Sequence, residues 1–157
     1  ETLNQVLEAV RWSPSWANTQ CWEIVVVRDP ALRKKLQETL PPAGNPALKS
    51  IVTAPVLLAL CGKLKVSGYY KEQVTTKYGD WFMFDLGIAA QTLCLTASHL
   101  GLGTVIVGLF DHVRAATALN VPEGVEIVAL IPMGYPVKKS KAPKRKALEA
   151  FVLEDSF

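Results

Sequence analysis

The sequence predicts a fold of mixed helices and strands, α/β or α+β, on three observations. Four short runs rich in branched apolar residues alternate with stretches of helical period. Cap-type residues, Asp29, Asp80 and Asp111, stand at the helix starts. Hydrophobic residues make up 50% of 157, enough for a sizeable core and incompatible with global disorder.

Taken in order, Thr2 to Trp12 reads as a helix. Leu3, Val6, Leu7 and Val10 fall on one face, and Thr2 with Gln5 suggests a capping box. Pro14 stops it, because the residue before proline is pushed off helical geometry. Trp22 to Arg28, with three valines and an isoleucine in a row, suits a buried strand. Asp29-Pro30 supplies an N-cap and first position for a helix to about Leu40. A Pro-rich loop follows, then one or two helical turns over Ala47–Thr53 and a buried strand over Val56–Cys61.

Gly62 to Gly79 is polar, carries Tyr69, Tyr70 and Tyr78, and has no clear period, as expected of a loop or lid. Asp80 is expected to cap a long helix to Leu100 that is apolar on both faces and therefore central and buried. Its run from Trp81 to Leu102 carries Asp85, Gln91, Thr92, Ser98 and His99, so it reads as a core helix and not a membrane span. Gly101 and Gly103 end it, and Thr104–Val107 forms a third strand. Asp111 caps a helix to Leu119, stopped by Asn120, and Val125–Met133 is the fourth strand. No repeat or linker divides the chain, which reads as one domain over residues 1–157.

Charge is uneven. The net charge is +3, yet residues 138–146, KKSKAPKRK, hold six basic residues and no acid, leaving 11 basic against 14 acidic elsewhere. Such a tail can be a solvated terminus, a nucleic-acid contact or the site of a small anion. It has no interleaved aromatic residues for stacking bases, so nucleic acid is not expected and a single phosphate is the more economical partner. Cys21, Cys61 and Cys94 form no CxxC pair, an odd count without metal spacing that suggests reduced, packed thiols in a cytoplasm. There is no GxSxG, no Walker A and no clustered ligand set for a metal. GLGTVIVG has a GxG, but it opens a strand after a helix, the wrong order for a dinucleotide loop. Polar, site-like residues without acid–base clusters suit a protein whose cofactor carries the chemistry.

The segment AVRWSPSWANTQCWEIVVVRDPALRKKL resembles the start of the nitroreductase family of FMN flavoproteins, through Arg11, Trp12, Pro14, Ser15, Asn18, Gln20 and Trp22. TAPVLLALCG, FDLGIAAQTLCLTASHLGLGTVIVGLFD, ALNVPEGVEIVALIPMGYP and KRKALEAFV are similar, in order, to that family's second strand, central helix and following strand, closing strand and phosphate-contacting tail. The resemblance implies an α+β fold: a three-layer α/β sandwich with a mixed or antiparallel central sheet flanked by helices, in a homodimer. It implies that Pro14, Ser15 and Asn18 contact the isoalloxazine or ribityl group of FMN across the dimer. Trp16 is placed either near the flavin or substrate pocket or in dimer packing, and Gln20 supports the loop. The backbone of Ile106, Val107 and Gly108 matches the strand end that faces flavin N5, where an N–H stabilises the reduced flavin. Arg145, with Lys144 as neighbour, matches the basic residue that pairs with the FMN phosphate, which Arg suits by bidentate hydrogen bonding.

The implied activity is transfer of electrons from NAD(P)H through FMN to a small-molecule acceptor such as a nitroaromatic or quinone, with no side chain acting as acid or base. Specialised chemistry, reductive dehalogenation or flavin fragmentation, and a non-catalytic flavin-binding dimer are the alternatives. The family's usual Arg-Arg-Ser-x-Arg opening segment, which holds the phosphate, does not precede the first helix here, so the chain is expected to lack that N-terminal segment.

Overall fold

The computed structural model describes residues 1–42, 45–138 and 141–157. Its centre is a four-stranded sheet in the order β1 (Trp22–Val27), β2 (Val56–Lys63), β6 (Val125–Gly134), β5 (Gly103–Thr104). Every pairing is antiparallel, which decides for α+β and against a parallel α/β sheet.

The alternation of side chains along β2 explains the layers. Leu58 and Leu60 face a core that also takes Val6 and Val10 of α1 (Thr2–Arg11) and Leu86, Ala89, Leu93 and Ala97 of α4 (Phe82–His99). Leu57, Ala59 and Cys61 face the opposite core, with Leu36 of α2 (Pro30–Gln37), Ile51 of α3 (Leu48–Thr53) and Ala115 of α5 (His112–Leu119). Each fully buried Leu or Ile contributes about 1.5–3 kcal/mol, and the period of two directs these contributions to both faces. A bulge between Leu60 and Cys61 lets β6 place Ala129 in the first core and Ile127 in the second.

Asp29 and Asp111 cap as expected, accepting from Ala31 N at 3.0 Å and Arg114 N at 3.0 Å, and Asn120 ends α5 at φ +51°. Other expectations need correction. Thr2 lies inside α1 and Glu1 is the N-cap, so there is no capping box. The second helix ends at Gln37, where the hydroxyl of Thr39 donates to Leu36 O at 2.6 Å and the chain tightens before Pro41 and Pro42. The first strand is an edge strand and mostly half-buried, because only its inner neighbour β2 pairs with it. The third strand is only Gly103–Thr104. Val107 returns to the sheet in a single bridge with Leu130, while Val105 and Ile106 are exposed.

The lid contains structure its sequence does not advertise. Tyr69–Tyr70 (β3) and Gln73–Val74 (β4) form a two-stranded hairpin across Lys71 and Glu72, both at positive φ. Asp80 divides its carboxylate, one oxygen accepting from Lys65 N at 2.6 Å and the other from Phe82 N at 3.3 Å, so α4 starts at Phe82. The central helix is not buried all round. Met83, Phe84 and Leu95 are each more than half exposed and, with Gly87 and Ile88, line an apolar groove of about 530 Å³. Among the described residues no helix is long and apolar enough to cross a membrane.

Candidate functional site

The first ligand-type segment is the turn between α1 and β1. Pro14 and Asn18 are exposed and Ser15 and Trp16 half-buried. A short 3-10 turn, Trp16–Asn18, bends the chain with Ala17 at φ +45° and Asn18 at +55°, and Gln20 follows at +49°. Three non-glycine residues in the left-handed region cost about 1–3 kcal/mol each. Hydrogen bonds hold them there. Gln20 N donates to Ser15 Oγ at 2.9 Å, and Gln20 Nε2 donates to Asn18 Oδ1 at 3.3 Å, so Gln20 supports the loop.

The strongest hold comes from a residue that the sequence offers only as a polar interruption of an apolar run. Asp85, in the first turn of α4, is 1% exposed. Both its carboxylate oxygens accept from Trp16 N, at 3.1 and 3.2 Å. Oδ2 also accepts from the hydroxyl of Ser67 at 2.6 Å and from the thiol of Cys21 at 3.6 Å. Burial, then the Asp85 carboxylate, push the Cys21 thiol up to about 12 from its ordinary 9.0, which leaves it protonated and unreactive. The signal in the sequence was a lone Asp in the opening turn of an otherwise apolar helix, where the positive end of the helix dipole favours a carboxylate.

The second segment is Ile106–Gly108, with its neighbour Leu109. It lines a cleft of about 380 Å³ shared with Pro41, Asn45 and Ala47. Val107 is buried, and its N–H and C=O are both committed to Leu130, at 3.0 and 2.9 Å. The backbone N–H groups of Ile106 and Gly108 have no hydrogen-bond partner among the described residues. Open space surrounds Gly108, where an added Cβ would meet nothing within 4 Å. His112 closes the end of the segment, its Nε2 3.3 Å from Gly108 O and its Nδ1 2.9 Å from Ile127 O, with the ring stacked on Phe110.

Lys144 and Arg145 are exposed, in a stretch without regular structure, and make no ion pair among the described residues. The cleft lined by Ile106–Gly108 includes no residue of the Pro14–Asn18 turn and neither Lys144 nor Arg145. The Pro14–Asn18 turn is bonded to the start of α4, and Ile106–Gly108 opens on the cleft by Pro41–Ala47. Leu148, Phe151, Val152, Leu153 and Phe157, beyond the basic tail, are also exposed.

The sequence and architecture are similar to those of known proteins. The chain is 30% identical to the NADH dehydrogenase of Thermus thermophilus, over 96% of this chain and 83% of that one. It is 28% identical to the FMN reductase [NAD(P)H] of Bacillus subtilis, over the whole of this chain and 66% of that one. The nitroreductase family protein of Streptococcus pneumoniae has the same fold, with a TM-score of 0.83 over 98% of this chain and 88% of that one at 20% identity. The nitroreductase family model matches residues 1–135, from the first helix through the closing strand, and this chain belongs to the nitroreductase family.

Proposed function

We infer that this chain, an FMN-dependent NAD(P)H oxidoreductase, reduces small flat electrophiles such as nitroaromatics and quinones, as a homodimer whose two sites are each built from both subunits. The observation that carries the reading is an uncovered apolar face of α4, whose first turn is bonded to the Pro14–Asn18 turn, while that turn lines no part of the Ile106–Gly108 cleft. A second copy covering that face would bring one subunit's Pro14–Asn18 turn toward the other's Ile106–Gly108.

The residues present fit FMN. Ile106 and Gly108 offer two backbone donors, with open space around Gly108, suited to the electron-rich edge of a reduced flavin. Ser15 Oγ and Asn18 Oδ1 already accept from Gln20, which holds the turn in shape, and the Ser15 hydroxyl proton and the Asn18 amide N–H groups are left for a ligand with little further ordering. Lys144 and Arg145 supply free cations for a phosphate. Held by these residues, FMN would supply the hydride and electron chemistry between NAD(P)H and the acceptor. The protein's part is to orient both partners, exclude water and hold charge. The lid, with Tyr70 and Tyr78 exposed and Trp81 stacked on Tyr78 and tilted against Phe84, supplies flat surfaces for the acceptor. The free state of Cys21, Cys61 and Cys94 supports a cytoplasmic location.

Under anaerobic conditions, purified protein supplied with FMN should oxidise NADH or NADPH beyond one equivalent per flavin only when a nitroarene or benzoquinone is present, with saturation in the acceptor. Flavin binding without acceptor-dependent oxidation would favour a non-catalytic flavin-binding dimer.

A further inference from the structure

We propose that Asp85 is a positioning residue that ties the lid to the Pro14–Asn18 turn, so that displacement of the lid is transmitted to the face of the site this turn forms. The proposal rests on the flavin-facing reading of that turn. Asp85 is 1% exposed and belongs to neither ion pair found among the described residues, Arg11–Glu8 and Lys63–Glu23. A buried carboxylate is tolerated only where hydrogen bonds satisfy it. Its donors come from three separate segments: Trp16 N from the turn, Cys21 Sγ from the start of the first strand, and Ser67 Oγ from the lid.

Ser67 is the other half of the device. It is fully buried, its hydroxyl is 2.6 Å from Asp85 Oδ2, and its carbonyl accepts from Trp81 N at 3.0 Å. Both arms of the lid therefore meet at one serine, and that serine is bonded to the carboxylate that holds Trp16. Next to it Gly68, at φ +83°, lets the arms close. An added Cβ would lie 2.7 Å from Gly79 O. The turn on the far side of Asp85 is strained at Ala17, Asn18 and Gln20 and needs an external hold to persist. An apolar side chain could fill the same space, but it could satisfy none of the three donors.

The test is amide hydrogen exchange on the FMN-loaded protein, with FMN affinity and acceptor kinetics measured in parallel. Ser67→Ala removes only the lid's bond. It should speed exchange in residues 64–81 and, across the carboxylate, in residues 15–20 by about threefold or more, while β2 and β6 stay within about twofold. The acceptor KM should rise with kcat nearly unchanged. Asp85→Asn should loosen both segments by about tenfold or more. Should Asp85→Asn fail to fold, Ser67→Ala alone decides. Faster exchange confined to 64–81, or spread evenly over the sheet, would overturn the coupling. Asn18→Ala serves as the control for the underlying reading. Unchanged FMN affinity in that variant would refute the flavin-facing turn, whereas the exchange data judge the coupling independently.

Discussion

The backbone N–H of Trp16 donates to both carboxylate oxygens of Asp85, 69 residues later in the chain, at 3.1 and 3.2 Å. The contact joins the turn after the first helix to the opening of the central helix. It fixes where Pro14, Ser15 and Asn18 face, and it leaves the side chains of Pro14 and Asn18 exposed for a ligand. Rigid support behind exposed groups is what a binding turn requires.

Arg145 is expected to hold the FMN phosphate. Arg145→Ala should weaken FMN binding by about 1.5–3 kcal/mol, the range for a charge-assisted hydrogen bond. Lys141→Ala, an exposed cation in the same basic run, should do much less. Fluorescence titration of FMN into each variant checks this, and equal losses would mean that the tail acts as a diffuse positive field.

The lid should set acceptor choice. Tyr69 and Tyr70 lie on the first strand of its hairpin, Tyr70 exposed. Replacing both by Ala should change kcat/KM by different factors for a nitroarene and a benzoquinone, with FMN affinity little altered. Loss of FMN or of the dimer with acceptor preference intact would make the segment structural.

The exposed face of α4 should be the dimer contact. Leu95 is 60% exposed in the single chain, so Leu95→Glu should leave protomer stability within about 0.5 kcal/mol. Burying that charge at an interface should weaken association about tenfold or more. Sedimentation equilibrium reads the difference. A wild-type protein that is a folded monomer at micromolar concentration would contradict the dimer outright.

Thiol chemistry should follow burial. Cys21 is pushed up to about 12 and Cys61, by burial and then Glu23, to about 11. Iodoacetamide at mildly alkaline pH should therefore label half-buried Cys94 well before either. The sign for stability follows from the raised values. The folded state favours the neutral thiols, so their contribution is complete below the unfolded value of 9.0 and is lost as pH rises through about 11 and 12. Urea midpoints across this range should fall in the wild type and fall less in Cys21→Ala.

The elements readable in the sequence were those whose local chemistry and packing agree. Asp29-Pro30 and Asp111 cap helices because side chain and backbone want the same geometry there, and the apolar runs at Val56 and Val125 lie in the middle of the sheet. What escaped was decided by distant partners. The hairpin turns on Lys71-Glu72, neither a usual left-handed residue, and is held by Thr75 N donating to Gly68 O at 2.8 Å. The valines of the first strand read as buried although they occupy an edge and are mostly half-buried, since an apolar run does not report on how many neighbours it has. For the candidate site, the turn and the Ile106–Gly108 segment were proposed from residue type and resemblance, and the structure adds that Asn18 and Gly108 are exposed. Asp85 and Ser67 were not legible, because a single Asp and a single Ser acquire meaning only when folding brings them within 2.6 Å.

The central claim, electron transfer from NAD(P)H through bound FMN to a flat acceptor, is tested most directly by following the flavin's visible absorption in two anaerobic steps. Stoichiometric NADH or NADPH should bleach the band of the FMN-loaded protein, and a stoichiometric benzoquinone or nitroarene should then restore it. A bound flavin that neither nicotinamide bleaches, or a bleached one that no such acceptor restores, would contradict the account.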